Sequence, residues 1–215
     1  MHGIILGKGE IGRALSSIFN EISFDKHDKP LYAGDKKIDI LHICFPYSEN
    51  FLEEVKKYQG FYEPTYTIIH STVPVGTSRK AGAMHSPIRG MHPYLEGGIR
   101  TFVKFIGGEQ ASEVADYFRR VGIRIALFDK SETTEAMKLF DTEYYRVCIE
   151  FCHRVKKYCD EHNLNFSDVY RVANTSYNEG YFRLGHPEFI RPVLEPIMTP
   201  IGGHCVLQNK DLIDG

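Results

Sequence analysis

The stretch Gly3-Ile4-Ile5-Leu6-Gly7-Lys8-Gly9-Glu10-Ile11-Gly12 constrains this chain more than any other. A short apolar run leads into G-x-G-x-x-G, and an amphipathic run, Arg13 to Asn20, follows. Strand, glycine turn and helix in that order are what a dinucleotide-binding turn requires. Gly7 permits the tight turn, Gly9 the close approach of a pyrophosphate, and Gly12 close packing of helix on strand. The phosphates would rest on free N–H groups of the helix N-terminus, where the helix dipole favours an anion. Lys8, Glu10 and Ile11, between the glycines, share the expected cofactor contact.

The rest of the first 128 residues repeats the alternation of strand and helix. Ile22-Ser23-Phe24 predicts a short strand ending at Asp25, the acidic position expected to bind the ribose hydroxyls of the cofactor. Asp28 is a rival, and Lys26, His27 and Lys29 would instead suit a 2′-phosphate, so NAD is expected with NADP as the alternative. Residues 36–45 predict a buried strand ending at Pro46, a further cofactor contact. A helix is expected from Ser48 to Tyr58, a strand over 66–70, a short helix over 76–83 and a short strand over 83–86. A strand over 102–106, an amphipathic helix over 109–121 and a last strand over 123–128 complete the series. This is an α/β pattern: a Rossmann-like, doubly wound, mostly parallel sheet in residues 1–129.

The pattern changes at Asp129. Apolar residues at helical spacing from Ala136 to Tyr158 predict one helix of about thirty residues, long for a globular protein. A short helix is expected over 165–174, and then a stretch rich in Pro, Gly and aromatics from Tyr177. Residues 130–215 therefore read as a small helical domain, with the 131–163 helix as the surface of a homodimer.

Charge and cysteine content narrow the partners. The net charge of −2 gives no reason to expect nucleic acid or an anionic membrane. No apolar run approaches the roughly 20 residues of a membrane span, and the N-terminus passes directly into a strand with no leader. Five cysteines without a C-x-x-C predict a reduced, cytoplasmic protein.

Ligands of open α/β sheets bind outside the carboxyl ends of the strands. Two loops dense in hydroxyls, imidazoles and prolines fall there, 70–77 and 85–93. His85, Arg89 and His92 are candidates for handling anions and protons, because imidazole titrates near neutral pH. A metal site from His85, His92 or His204 with Cys205 lacks any usual ligand spacing, and no metal is expected.

Ser71-Thr72-Val73-Pro74-Val75-Gly76-Thr77 resembles the S-T-V-P-x-G-T segment of the UDP-glucose/GDP-mannose dehydrogenase family. That family continues with a long helix bearing a lysine and a G-G-x-C segment bearing the catalytic cysteine. Here Lys138 lies in E-A-M-K-L and Cys205 in G-G-H-C, in the same order, so the resemblance covers nearly the whole chain. It implies NAD-dependent oxidation of a nucleotide-sugar alcohol, with Cys205 as nucleophile and Lys138 as oxyanion partner. It also implies Ser71 and Thr72 as water or cofactor contacts. Departures accompany it. Thr142 stands where the family has asparagine, Asn209 where it has aspartate (Asp211 is two residues on), and Ile88 replaces the glutamate of S-P-E-R. The family also extends into a second α/β domain completing the nucleotide-sugar site, whereas this sequence stops at Gly215. By that comparison a partner chain would have to supply the missing part.

Two other functions fit the same residues. Segment 85–108 is similar to prephenate dehydrogenases, which carry a histidine-proline loop before a G-G turn. That likeness implies hydride transfer on a small anionic substrate with His92 as the proton-handling group. The substituted partners of Cys205 and Lys138 suit a dinucleotide-binding protein that has lost its chemistry.

Overall fold

The computed structural model describes residues 1–25, 37–196 and 212. They form two compact units, Met1–Leu139 and Phe140–Asp214.

The first unit is a seven-stranded sheet. Its strands are β1 (Gly3–Leu6), β2 (Ser23–Phe24), β3 (Ile40–Ile43), β4 (Tyr66–Ile69), β5 (Met84–His85), β6 (Lys104–Gly107) and β7 (Ile125–Phe128). The order across the sheet is β2-β1-β3-β4-β5-β6-β7. Every neighbouring pair is parallel except β5 and β6, which meet antiparallel at His85 and Gly107. The expected mostly parallel doubly wound sheet is present. Its central strands are apolar on both sides because both sides are covered. Ile5, Ile40 and Ile68 pack with Leu15, Phe19, Leu95 and Phe118 on one face. Leu6, Leu41 and Ile69 pack with Phe51, Val55 and Val73 on the other.

The helices are α1 (Glu10–Phe19), α2 (Phe51–Tyr62), α3 (Thr77–Lys80), α4 (Leu95–Thr101) and α5 (Ala115–Arg119). Helix α1 begins three residues before the expected Arg13, and α3 is shorter than the expected 76–83; three others differ more. Helix α2 starts three residues later than Ser48 and runs four past Tyr58, through Gly60. It stops where Glu63 turns left-handed, φ 44°, its N–H bonded to the Gln59 carbonyl just before Pro64. Helix α5 is shorter than 109–121, because residues 108–115 bond i to i−3 and form successive turns instead. The residues expected inward, Val114, Tyr117 and Phe118, are nevertheless buried. Helix α4 was not expected. Gly97 and Gly98 weaken its helical signal, and Gly98 is required because a Cβ there would stand 2.6 Å from the Cα of Gly90.

Helix α6, Ser131–Glu161, is the long helix the spacing predicts, 31 residues. In the second unit a π-helical turn, Ser167–Val172, runs directly into α7, Ala173–Arg183. The helical stretch thus extends nine residues past the expected end at Asn174. Gly180 is tolerated at about 1 kcal/mol in an exposed helix, and the Tyr177 and Tyr181 rings meet tilted, one turn apart, with centroids 4.7 Å apart. Gly185, φ 78°, and Pro187 end it. The four described cysteines are free thiols. Among the described residues no helix is long and apolar enough to cross a membrane.

Candidate functional site

The chain leaves β1 through α1 to β2 on one side, then crosses to β3 on the other. The carboxyl ends of β1 and β3 therefore flank a topological switch point, where open sheets bind ligands. The glycine turn lies there, and each glycine has its own physical reason. Gly7 has φ 111°, and a Cβ on it would meet the Cys44 carbonyl carbon at 2.9 Å. A Cβ on Gly12 would stand 1.7 Å from the Gly7 carbonyl oxygen. Both are fixed by the protein's own packing. Around Gly9 a Cβ would meet nothing within 4 Å. Lys8, Gly9 and Glu10 are exposed at the start of α1, whose first-turn amides have no carbonyl partner within the helix.

A pocket of about 550 Å³ opens at the carboxyl ends of β1, β2 and β3, between Leu6, Phe24, Asp25, Pro46, Lys57 and Tyr58. Asp25 and Pro46, both expected to touch a cofactor, line the same cavity from different strands. Burial, followed by the Glu54 and Asp25 carboxylates, raises the Tyr58 phenol above its ordinary range. The sequence reading missed Glu54, Lys57 and Tyr58; their signal was the polar flank of α2, facing the strand ends. Lys26, His27, Asp28 and Lys29 lie outside the described residues.

The loop after β4 is tied into the protein. The Ser71 hydroxyl donates to the Phe45 carbonyl, 2.5 Å, joining the ends of β4 and β3. Its neighbour Thr72 is half-buried at the same edge. Gly76, φ 89°, turns the chain into α3, and the carboxylate of the fully buried Glu135 accepts the N–H of Gly76 at 2.6 Å and of Ser78 at 2.7 Å. Charge-assisted bonds of this kind contribute about 1.5–3 kcal/mol each. The S-T-V-P-V-G-T segment is thereby shaped by a side chain of α6, a role that the separation of 59 positions concealed.

The loop after β5 sends its polar residues in different directions. His85 is buried, its ring nitrogens meeting the Thr134 hydroxyl at 2.9 Å and the Ser71 carbonyl at 3.2 Å. Burial lowers its pKa to about 3, against the Ser71 carbonyl, with the neighbouring Lys104 and Lys138 lowering it further. A neutral, enclosed imidazole handles no substrate charge. Arg89 donates to the Val103 carbonyl at 2.6 Å and stacks over Phe105, 4.1 Å from the ring centre. Ile88 is core, 5% exposed, where a glutamate would be desolvated. His92, exposed, pairs with Glu10 in the first turn of α1, so the loop reaches over the glycine turn. Lys138, half-buried one turn beyond Thr134, lies within electrostatic reach of His85 and Lys104 at the strand ends. Thr142 lies one turn further along α6 and is half-buried. Cys205 and Asn209 lie outside the described residues, as does His204.

No family model matches the sequence, and no curated protein sequence matches it. Solved structures do. The chain superposes on a UDP-D-ManNAc dehydrogenase from Pyrococcus horikoshii with a TM-score of 0.79 and 19% identity, over 99% of this chain and 64% of that one. An NDP-N-acetyl-D-galactosaminuronic acid dehydrogenase from Methanosarcina mazei gives 0.71 and 15%, over 99% and 60%. A conserved protein of unknown function, described as structurally similar to 3-hydroxyacid dehydrogenases, gives 0.66 and 14%, over 86% and 80%. The chain thus has the fold found in nucleotide-sugar dehydrogenases, and spans less than two thirds of the length of the first two.

Proposed function

We propose that the first unit binds a nicotinamide dinucleotide, NAD in preference to NADP, and that the chain serves an oxidoreductase moving a hydride from an alcohol. The supporting observation is the contrast among the three glycines. Packing accounts for Gly7 and Gly12, while the space a side chain would take at Gly9, directly before α1, is open. A pyrophosphate there would receive the first-turn N–H groups of that helix. Asp25 would receive the ribose hydroxyls in the adjoining pocket and would repel a 2′-phosphate.

The substrate favoured by resemblance is a nucleotide sugar, with Lys138 stabilising an oxyanion, Cys205 attacking an aldehyde, and Thr72, Thr142 and Asn209 as further catalytic candidates. The likeness to a 3-hydroxyacid-dehydrogenase-like protein, covering 80% of that chain, supports a smaller anionic substrate as a second reading. Fluorescence titration should show NADH binding more tightly than NADPH, and Asp25→Ala should narrow that preference about tenfold. Binding of neither at millimolar concentration removes the proposal. Turnover of UDP-sugars abolished by Cys205→Ala supports the first substrate; turnover on a small hydroxy acid that survives this change supports the second.

A second copy is the proposed protein partner, meeting through α6. Phe140 and Tyr144 are 62% and 63% exposed one turn apart on that helix, and Val147 and Phe151 continue the apolar row. Sedimentation equilibrium should give a dimer, and Phe140→Glu with Tyr144→Glu a monomer. A wild-type monomer at 100 micromolar order would rule this contact out.

A further inference from the structure

A run of buried ionisable side chains crosses the first unit, and the proposed function does not use it. Glu21 accepts the N–H of Gly3 at 2.7 Å, and its Oε2 lies 2.6 Å from Tyr117 Oη. Tyr117 Oη lies 2.9 Å from His42 Nε2, and His42 Nδ1 lies 2.9 Å from His70 Nε2. His70 Nδ1 lies 2.7 Å from the Ser86 carbonyl oxygen. Lys104 Nζ ends the run, 2.6 Å from that oxygen, 2.9 Å from the Pro87 oxygen and 3.4 Å from His70 Nδ1. None of the five residues is more than 8% exposed.

Counting protons constrains the run. Four contacts join Glu21 to the Ser86 oxygen, all between 2.6 and 2.9 Å, and each needs one hydrogen between its heavy atoms. A carboxylate, a phenol and two neutral imidazoles supply three. The Ser86 oxygen only accepts, so His70 Nδ1 carries a hydrogen, and the shortage passes along the run to Glu21. Lys104 is the neighbouring source. An ammonium has three hydrogens, and among the described residues only two carbonyls stand at good distance from it; a neutral amine has two. We propose that Lys104 has given its third proton to the run, so that Glu21 and Lys104, at opposite ends, form one proton-sharing unit buried without net charge.

The alternative buries an ammonium and a carboxylate with three side chains between them, which desolvation penalises. Burial drives the lysine well below its usual range; the Cys44 thiol opposes this, and the Lys138 and Arg89 cations add to it. Burial also lowers His70, and His42 to about 3, so the proton is shared along the run and not held as a lone imidazolium. The other groups facing the run are His85, within electrostatic reach of His70, and Arg120, whose guanidinium lies 4.6 Å over the Tyr117 ring. His70 follows β4 at the carboxyl edge of the sheet. Glu21 sits beside Gly3 at the amino edge, so the run couples the two edges.

The test is the folding constant of the full chain from pH 7.5 to 9.5, by urea unfolding, compared with wild type. Glu21→Gln leaves no place for the extra proton, so folding expels it from Lys104. The folding constant should then rise about tenfold per pH unit relative to wild type. Lys104→Met removes the donor, so folding takes a proton from solvent and the constant should fall about tenfold per pH unit. The double variant should run parallel to wild type. Four parallel profiles, or single slopes that fail to cancel in the double variant, overturn the proposal. Should a single variant not fold, nitrogen NMR of wild type decides: a Lys104 amine signal at pH 7.5 supports the shared proton, and an ammonium signal overturns it.

Discussion

Gly12→Ala should leave little folded protein. The new Cβ would be placed 1.7 Å from the Gly7 carbonyl oxygen, and 2.9 Å from its carbon. Both atoms are backbone, and Gly7 cannot move aside. Its N–H bonds the Phe24 carbonyl at 2.6 Å, and its own Cβ position is closed by Cys44. Relief therefore means moving α1 off the sheet, which would expose Leu15 and Ile18, now 0% and 6% exposed. A loss of roughly 4 kcal/mol or more, at the exceptional end for single substitutions, is expected. Urea unfolding followed by circular dichroism measures it. Gly9→Ala is the control: with nothing within 4 Å of the added methyl, its midpoint should stay within about 1 kcal/mol of wild type. Equal losses at both positions would contradict the packing described for the turn.

Acid should unfold the first unit earlier than its carboxylates alone would cause. His42 and His85 are held neutral by burial, each with a pKa lowered to about 3. The unfolded chain protonates its histidines near 6.5. Above that pH neither state gains a proton at these groups, and stability is unaffected by them. Between 6.5 and about 3 the unfolded state binds more protons, so stability falls with pH by about 1.4 kcal/mol per unit for each histidine. At pH 4.5 the two together remove roughly 5 kcal/mol, comparable to the whole stability of many domains. His85→Gln should lessen the slope by about 1.4 kcal/mol per pH unit below 6. An unchanged slope would mean that the buried imidazole is already charged.

What was legible in the sequence was local or periodic. G-x-G-x-x-G with its flanks announced β1, the turn and α1. Apolar spacing announced the 31 residues of α6 almost to the residue. Asp25 and Pro46 were placed by topology alone and line one pocket. Helix ends were less legible, because Gly60 and Gly180 lie inside helices while turns bonded i to i−3 shortened α5. The buried polar groups were not legible. His42 interrupts an apolar strand without revealing its partners, which lie 28 and 75 positions away. Glu135 looks like one more charge on an amphipathic helix, yet it is fully buried under α3. Such pairings depend on which strands become neighbours, and no single stretch carries that information.

The hold of Glu135 on Gly76 and Ser78, and of Thr134 on His85, bears on the order in which the chain can fold as it is made. The seven strands are complete once Phe128 has been synthesised. The amides at 76 and 78 still lack their acceptor at that point, and His85 lacks its hydroxyl partner. Domains fold as units during synthesis, and here the fastening comes from the start of the next helix. The sheet waits, half-secured, until Glu135 has been made seven residues later, and the ribosome must release the beginning of α6 before the turn after β4 can close.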